Sequence, residues 1–166
     1  MVNIPVTTSF SKREVDLECL QSMIEPVEKY KEVQPSITLF TPKIVTGPQK
    51  LMQRYVVLFT TITGSDRLRP DDGSRLIPAC ETGYVNSLAD LNYMAAKANN
   101  DTRERIIADD NDETFGIQPD DEKLEDCWID SVVVDKNSRT VSVYASILTR
   151  AGESLTFVVP TTAGIY

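Results

Sequence analysis

Thr140-Val141-Ser142-Val143-Tyr144-Ala145-Ser146-Ile147-Leu148-Thr149 alternates with a period of two. Val141, Val143, Ala145 and Ile147 point one way and Thr140, Ser142, Tyr144 and Ser146 the other, as a half-buried strand requires. β-rich runs flank it, residues 128–134 before and 154–160 after. In the last run Leu155, Phe157 and Val159 alternate with Ser154 and Thr156. The connections, Asp135-Lys136-Asn137-Ser138 and Arg150-Ala151-Gly152-Glu153, are short turns, so the C-terminal region predicts an antiparallel meander.

Upstream, the periodicity changes to that of helices. Leu51, Tyr55, Leu58, Phe59 and Ile62 recur at three- and four-residue steps, predicting a helix over residues 48–63. Pro48 suits its first turn and Gly64 a left-handed stop. A second helix is expected over residues 82–98, with Tyr84, Leu88, Leu91 and Ala95 on one stripe. Asn99-Asn100-Asp101 then caps a further short helix, Asp101 and Glu104 forming a box-like pair. Asp109-Asp110-Asn111-Asp112-Glu113 reads as a solvated acidic turn, and Pro119-Asp120-Asp121-Glu122 as one more helical turn.

Near the N-terminus, residues 1–10 read as an extended arm. Ser11 and Glu14 form a capping box opening a helix with Val15, Leu20, Ile24 and Val27, ended or kinked by Pro26. Residues 36–45 are β-branched but hold Pro42, which suits an edge strand or extended connector. Helices first and strands last predict an α+β architecture: N-terminal and central helices packed on a small C-terminal antiparallel β-meander. The expected division is an arm and helix over residues 1–47, a docking extension, followed by the α+β domain over 48–166.

The chain has 166 residues and a net charge of −8, from 25 acids against 17 bases, which argues against a general nucleic-acid binder. No apolar run approaches the roughly 20 residues of a membrane span. Cys19, Cys80 and Cys127 are far apart and lack metal-ligand spacing, which suits reduced thiols. With no histidine, Ser-His-Asp and Cys-His catalysis are out. Paired carboxylates for glycoside cleavage would have to come from Glu81, Glu104 or Glu113, with nothing to place them in an apolar pocket. Asp110, Asp112 and Thr114 alternate as in a calcium loop, but Phe115 stands where the sharp turn needs Gly and Asp121 where it needs a bidentate Glu. No cofactor, metal or small-molecule substrate is expected.

Between the first two central helices runs Ser65-Asp66-Arg67-Leu68-Arg69-Pro70-Asp71-Asp72-Gly73-Ser74-Arg75. Its charges either pair locally around an Asp72-Gly73 turn or offer Arg67, Arg69 and Arg75 as multi-donor forks to a partner's carboxylates and carbonyls. The order from Thr60 to Leu76 resembles the signature of the lysozyme-like baseplate wedge family, which initiates the sheath in contractile phage tails and related injection machines. That signature is a helix, a Thr/Gly turn, an Arg, then Pro, an acidic or aromatic residue, Gly and a small residue. The likeness is close through this stretch and looser from there to Pro160.

The resemblance implies a structural baseplate component of the virion, assembled in the host cytoplasm. Its partners would be other wedge subunits and the tail sheath protein, with no nucleic acid and no membrane. It assigns wedge contacts to the loop, here Arg67, Arg69, Asp71, Asp72, Gly73 and Arg75. The family also carries a Glu-Pro-Arg-Ile-like tetrad before the first strand of the meander. This chain has Glu125-Asp126-Cys127-Trp128-Ile129 there, keeping Glu and Ile and lacking Pro and Arg, which leaves Glu125 and Trp128 as the candidate contacts. In the family the initiator's sheet accepts extended arms of the first sheath subunits. The expected acceptor is the last run, Ser154, Leu155, Thr156, Phe157, Val158 and Val159, which has no Lys or Arg to protect its edge. Two rivals are another tail or head connector or terminator, which would close a ring alone, and a small glycan-cleaving enzyme.

Overall fold

A computed structural model describes residues 16–17, 20–23, 31–35, 44–82, 87–112, 118–135, 137 and 139–162, with side chains from residue 44 to 161. The elements in chain order are β1 (Asp16–Leu17), β2 (Leu20–Met23), β3 (Lys31–Pro35), β4 (Ile44–Val45), α1 (Pro48–Thr60), α2 (Leu76–Glu81), α3 (Leu88–Asn111), β5 (Leu124–Asp135), β6 (Thr140–Thr149) and β7 (Ser154–Thr162). The architecture is α+β, helices packed against a C-terminal antiparallel meander of β5, β6 and β7.

The alternation in β6 sets the layers. Val141, Val143, Ala145 and Ile147 are all buried, and their cross-strand neighbours Phe157 and Val159 of β7 join them under the helices. The β6–β7 turn closes with the Thr149 N–H donating to the Glu153 carbonyl at 2.9 Å, and Gly152 takes the left-handed φ of 84° there. Helix α1 lays Leu51, Met52, Tyr55, Val56 and Phe59 on the sheet. Tyr55 stacks on Phe59 and meets Phe157 edge-on, both with centroids 5.5 Å apart. Its hydroxyl donates to Asn99 Oδ1 at 2.6 Å, and Asn99 Nδ2 donates to the Cys127 carbonyl at 3.3 Å. One buried chain of hydrogen bonds therefore links α1, α3 and β5.

Several boundaries differ from the sequence reading, each for a physical reason. Helix α1 ends at Thr60, not at Gly64, because Thr60 and Thr61 hydroxyls turn back to the Val56 and Val57 carbonyls at 2.7 and 2.6 Å. Helix α3 runs unbroken through Asn99-Asn100-Asp101. The Asn99 side chain, committed to Tyr55 and Cys127, does not compete for the helix backbone. The cap lies instead at Ser87, whose Oγ accepts from the Asp90 N–H at 3.1 Å. Residues 76–81 form the unforeseen α2, and residues 119–122 make a turn closed by Glu122 N–H to Pro119 O at 3.0 Å.

The largest correction concerns the N-terminal region. The helix expected from Ser11 onward is absent where residues are described: 16–17 and 20–23 are strands. Strand β2 pairs antiparallel with β3, and β3 runs parallel to β7 with Lys31 opposite Phe157 and Glu32 opposite Val158. The sheet order is thus β2-β3-β7-β6-β5, while β1 and β4 form a separate antiparallel pair. The open edge of β7 drew in a strand of the same chain, and tertiary pairing overrode the local capping signal. The expected division after residue 47 is bridged by the same pairing.

Three groups in this interior hold their protons unusually tightly. Burial, with help from Asp126, pushes the Cys127 thiol from 9.0 up to about 12. Burial also raises Cys80, and lifts Tyr55 well above 10.0. For each, the folded chain keeps a proton that the unfolded chain has released above its ordinary value. The associated stability is complete below about pH 9 and is lost as pH rises toward 12. Urea midpoints measured across pH should hold steady up to pH 9 and fall beyond it. Cys127→Ala should lower the whole curve yet flatten its alkaline limb, and an equally steep limb in that variant would contradict the assignment.

Candidate functional site

The bend between α1 and α2 is built from its own sequence. Ile62 and Ser74 bridge its two ends, with the Thr63 N–H donating to the Ser74 carbonyl at 3.2 Å and the Ser74 N–H to the Thr61 carbonyl at 2.7 Å. Ser74 is buried, and its hydroxyl donates to the Phe59 carbonyl at 2.7 Å. Gly73 sits at φ 101°, where a Cβ would run into the Thr61 carbonyl oxygen. At the tip, Asp66 Oδ1 accepts from the Leu68 N–H at 2.8 Å, an Asx turn that holds Leu68 out in solvent at 91% exposure.

Charge fastens this bend to α3. Asp72 is buried and lies between two arginines, Arg69 Nη1 at 3.5 Å and Arg105 Nε at 2.7 Å. The same arginines reach Asp109, at 3.2 Å from Arg69 and 3.5 Å from Arg105. The result is an alternating ring of Arg69, Asp72, Arg105 and Asp109, with two charges from the bend and two from α3. Each carboxylate in it faces two guanidinium groups, which offsets the cost of drawing Asp72 out of water.

The loop residues singled out from sequence therefore divide in two. Arg69, Asp72 and Gly73 hold the bend together. Arg67, Asp71 and Arg75 are exposed, and the Arg67 and Arg75 guanidinium groups meet no partner among the described residues. The local-pairing reading describes Arg69 and Asp72, while Arg67 and Arg75 are left exposed.

Of the tetrad positions, Glu125 and Trp128 both fall on β5, Glu125 exposed and Trp128 at 40%. The Trp128 indole donates to Asp130 Oδ1 at 3.0 Å, and Asp130 Oδ2 accepts from Ser146 Oγ at 2.7 Å, which orients the ring along the strand. Asp126 pairs with Arg103 at 2.9 Å. Of the expected acceptor strand, Phe157, Val158 and Val159 are buried, Leu155 and Thr156 half-buried, and Ser154 exposed. That strand lies inside the sheet, between β6 and β3, so its edge is not open as expected. Among the described residues no strand pairs with the outer side of β5.

The sequence reading missed a second buried charge cluster. Lys50 Nζ donates to Glu122 Oε2 at 3.0 Å, and Glu122 Oε1 accepts from the Gly47 N–H at 3.1 Å. Arg54 Nη1 donates to Asp110 Oδ1 and Gln118 Oε1, each at 2.9 Å, while Asp110 Oδ2 accepts from the Leu124 N–H at 2.9 Å. From sequence, Asp110 falls in a solvated acidic turn and Glu122 in one more helical turn, so neither is marked for burial. A signal for Asp110 existed: it continues the stripe of Leu91, Ala95, Ala98, Thr102 and Ile106 at helical spacing. Both Asp110 oxygens are thus engaged by Arg54 and Leu124; among the described residues no group of metal-ligating side chains occurs, and Thr114 and Phe115 lie outside them. Glu81 and Glu104 are exposed, and Glu113 lies outside the described residues.

No protein-family model, curated protein or solved structure matches the chain.

The two bend glycines give a paired test of this anchoring. Gly73→Ala adds a backbone collision to left-handed strain and should cost upwards of about 2 kcal/mol, read from urea midpoints. Gly64→Ala, with φ 86° and open space around it, should lose only the left-handed penalty of roughly 1–2 kcal/mol. Equal losses at the two positions would mean that the Thr61 contact relaxes away.

Proposed function

We propose that this chain is a structural, non-catalytic subunit of a contractile-tail baseplate. It joins the wedge through the bend of residues 61–75 and starts the sheath by accepting a partner strand on its C-terminal sheet. What chiefly supports this is the bend itself. The stretch that resembles the wedge signature folds as one anchored unit, with its internal charges neutralised in the ring and Arg67, Asp71 and Arg75 left outward. A loop stiffened in this way loses little conformational freedom on docking, which favours a specific subunit contact.

In this reading the acceptor edge is β5 rather than β7. β5 is 12 residues long, carries the tetrad equivalents Glu125 and Trp128, and exposes Val133. Its register shifts after Leu124 and Ile129, together with the acids Glu125, Asp126 and Asp130, discourage pairing with its own copies. A heterologous strand with complementary charge faces no such penalty.

The test uses particles assembled with Ser131→Lys and Val133→Lys together, which leave the buried face of β5 intact. Sheath polymerisation should fail while the baseplate still forms, and Arg67→Glu with Arg75→Glu should instead block incorporation into the wedge. Sheaths of normal length on particles carrying the β5 double variant would overturn the edge assignment.

A further inference from the structure

An open groove of about 620 Å³ lies where the start of the bend, α2 and the first turns of α3 meet. That volume falls within the roughly 300–1,000 Å³ typical of clefts that seat a ligand. Ile62, Pro78, Tyr93 and Met94 supply its apolar wall, and Arg75 and Asp90 its charges. Tyr93 is 69% exposed and Ile62 41%, so the wall lacks a cover sufficient to bury it. The two charges are not equivalent. The Asp90 carboxylate accepts from Ser87 Oγ at 2.8 Å as part of the α3 cap. The Arg75 guanidinium has no hydrogen bond or ion pair among the described residues. A cation with no partner among the described residues, beside an apolar trough, is the more informative because the whole chain carries −8.

We infer that this groove seats an amphipathic acidic segment of a partner protein, with apolar side chains between Ile62 and Tyr93 and a carboxylate on Arg75. A planar guanidinium with several donors recognises a carboxylate in two-point fashion, and desolvation by the apolar wall strengthens that contact. The apolar side chains in turn cover Tyr93 and Met94, the arrangement of a helix laid in a groove. A basic segment would find one carboxylate already engaged and Arg75 repelling it. This deepens the reading of the bend face as a subunit contact. Strand addition at β5 uses a different surface, so either can fail while the other stands.

The probe is a fluorescent peptide of Leu and Glu at helical i, i+3, i+4 spacing, compared by anisotropy with the same peptide bearing Lys for Glu. Long-range attraction to a chain of −8 favours the Lys peptide, so the expected result runs against net charge. The Leu/Glu peptide should bind saturably and about tenfold tighter than the Leu/Lys one, the order of a charge-assisted contact. Arg75→Glu should abolish that preference, and Thr82→Trp, which fills the groove from an exposed position, should weaken both. Circular dichroism of each variant checks that the fold persists. A Leu/Lys peptide binding as well as the Leu/Glu peptide would overturn the inference, as would unchanged Leu/Glu affinity in Arg75→Glu. So would self-association in the ultracentrifuge that the peptide competes away, since the groove would then belong to a second copy.

Discussion

Helix α1 carries two cations, Lys50 and Arg54, into the interior, and the rest of the fold is arranged around satisfying them. Moving such groups out of water costs several kcal/mol each unless carboxylates and further hydrogen bonds accompany them. Glu122 and Asp110 meet that demand in the same way, each giving one oxygen to a cation and the other to a backbone N–H, of Gly47 and Leu124 respectively. The N-terminal end of α1, the C-terminal end of α3 and the entry to β5 are thereby held together. Such pairs add little to net stability, but removing either partner would strand a buried charge. Once β5 is fixed at Leu124, the Cys127 carbonyl lies within reach of Asn99, and Tyr55 can complete the chain back to α1.

The bend repeats this logic at the other end of α1. Arg69 and Asp72 are exchanged against Arg105 and Asp109 in a ring, so charges that would be mobile on a free loop become part of the framework. The same ring explains why only some of the loop's charges remain exposed. Position decides this more than residue type: Arg69 pairs with Asp109 of α3, while Arg67 and Arg75 on either side of it stay exposed.

The meander was legible because alternation in β6 is a local signal with a single structural reading, and every residue assigned to its apolar face is buried. Helix α1 was legible for the same reason, through Leu51, Tyr55 and Phe59. Its end was misplaced because Gly64 is a strong stop in isolation, whereas Thr60 and Thr61 act earlier by bonding back into the last turn. Asn99 misled in the opposite sense: as a helix residue it looks like a cap, and only its tertiary partners show why it is not. The buried carboxylates were hidden because an acid's burial depends on a cation distant in sequence, 72 residues away for Glu122 and Lys50. Of the candidate site, the composition of the bend could be read in advance, but not the split between its inward and outward charges.

The fate of the sheet edges follows from a single constraint. An edge strand presents unpaired N–H and C=O groups, and a strand without charged guards tends to acquire a neighbour. β7 has no Lys or Arg along residues 154–159, and it is β7 that took β3 from the same chain. β5 carries Glu125, Asp126 and Asp130, and its pairing with β6 is interrupted at two places. It remains an outer strand among the described residues, with β2 at the opposite edge. The sequence rule that marked β7 as sticky was therefore sound chemistry applied to the wrong partner. Stickiness without specificity is satisfied first by the nearest backbone, which in a single chain is its own. β5 is a guarded edge, whose charges disfavour copies of this chain and would set what a complementary strand must carry.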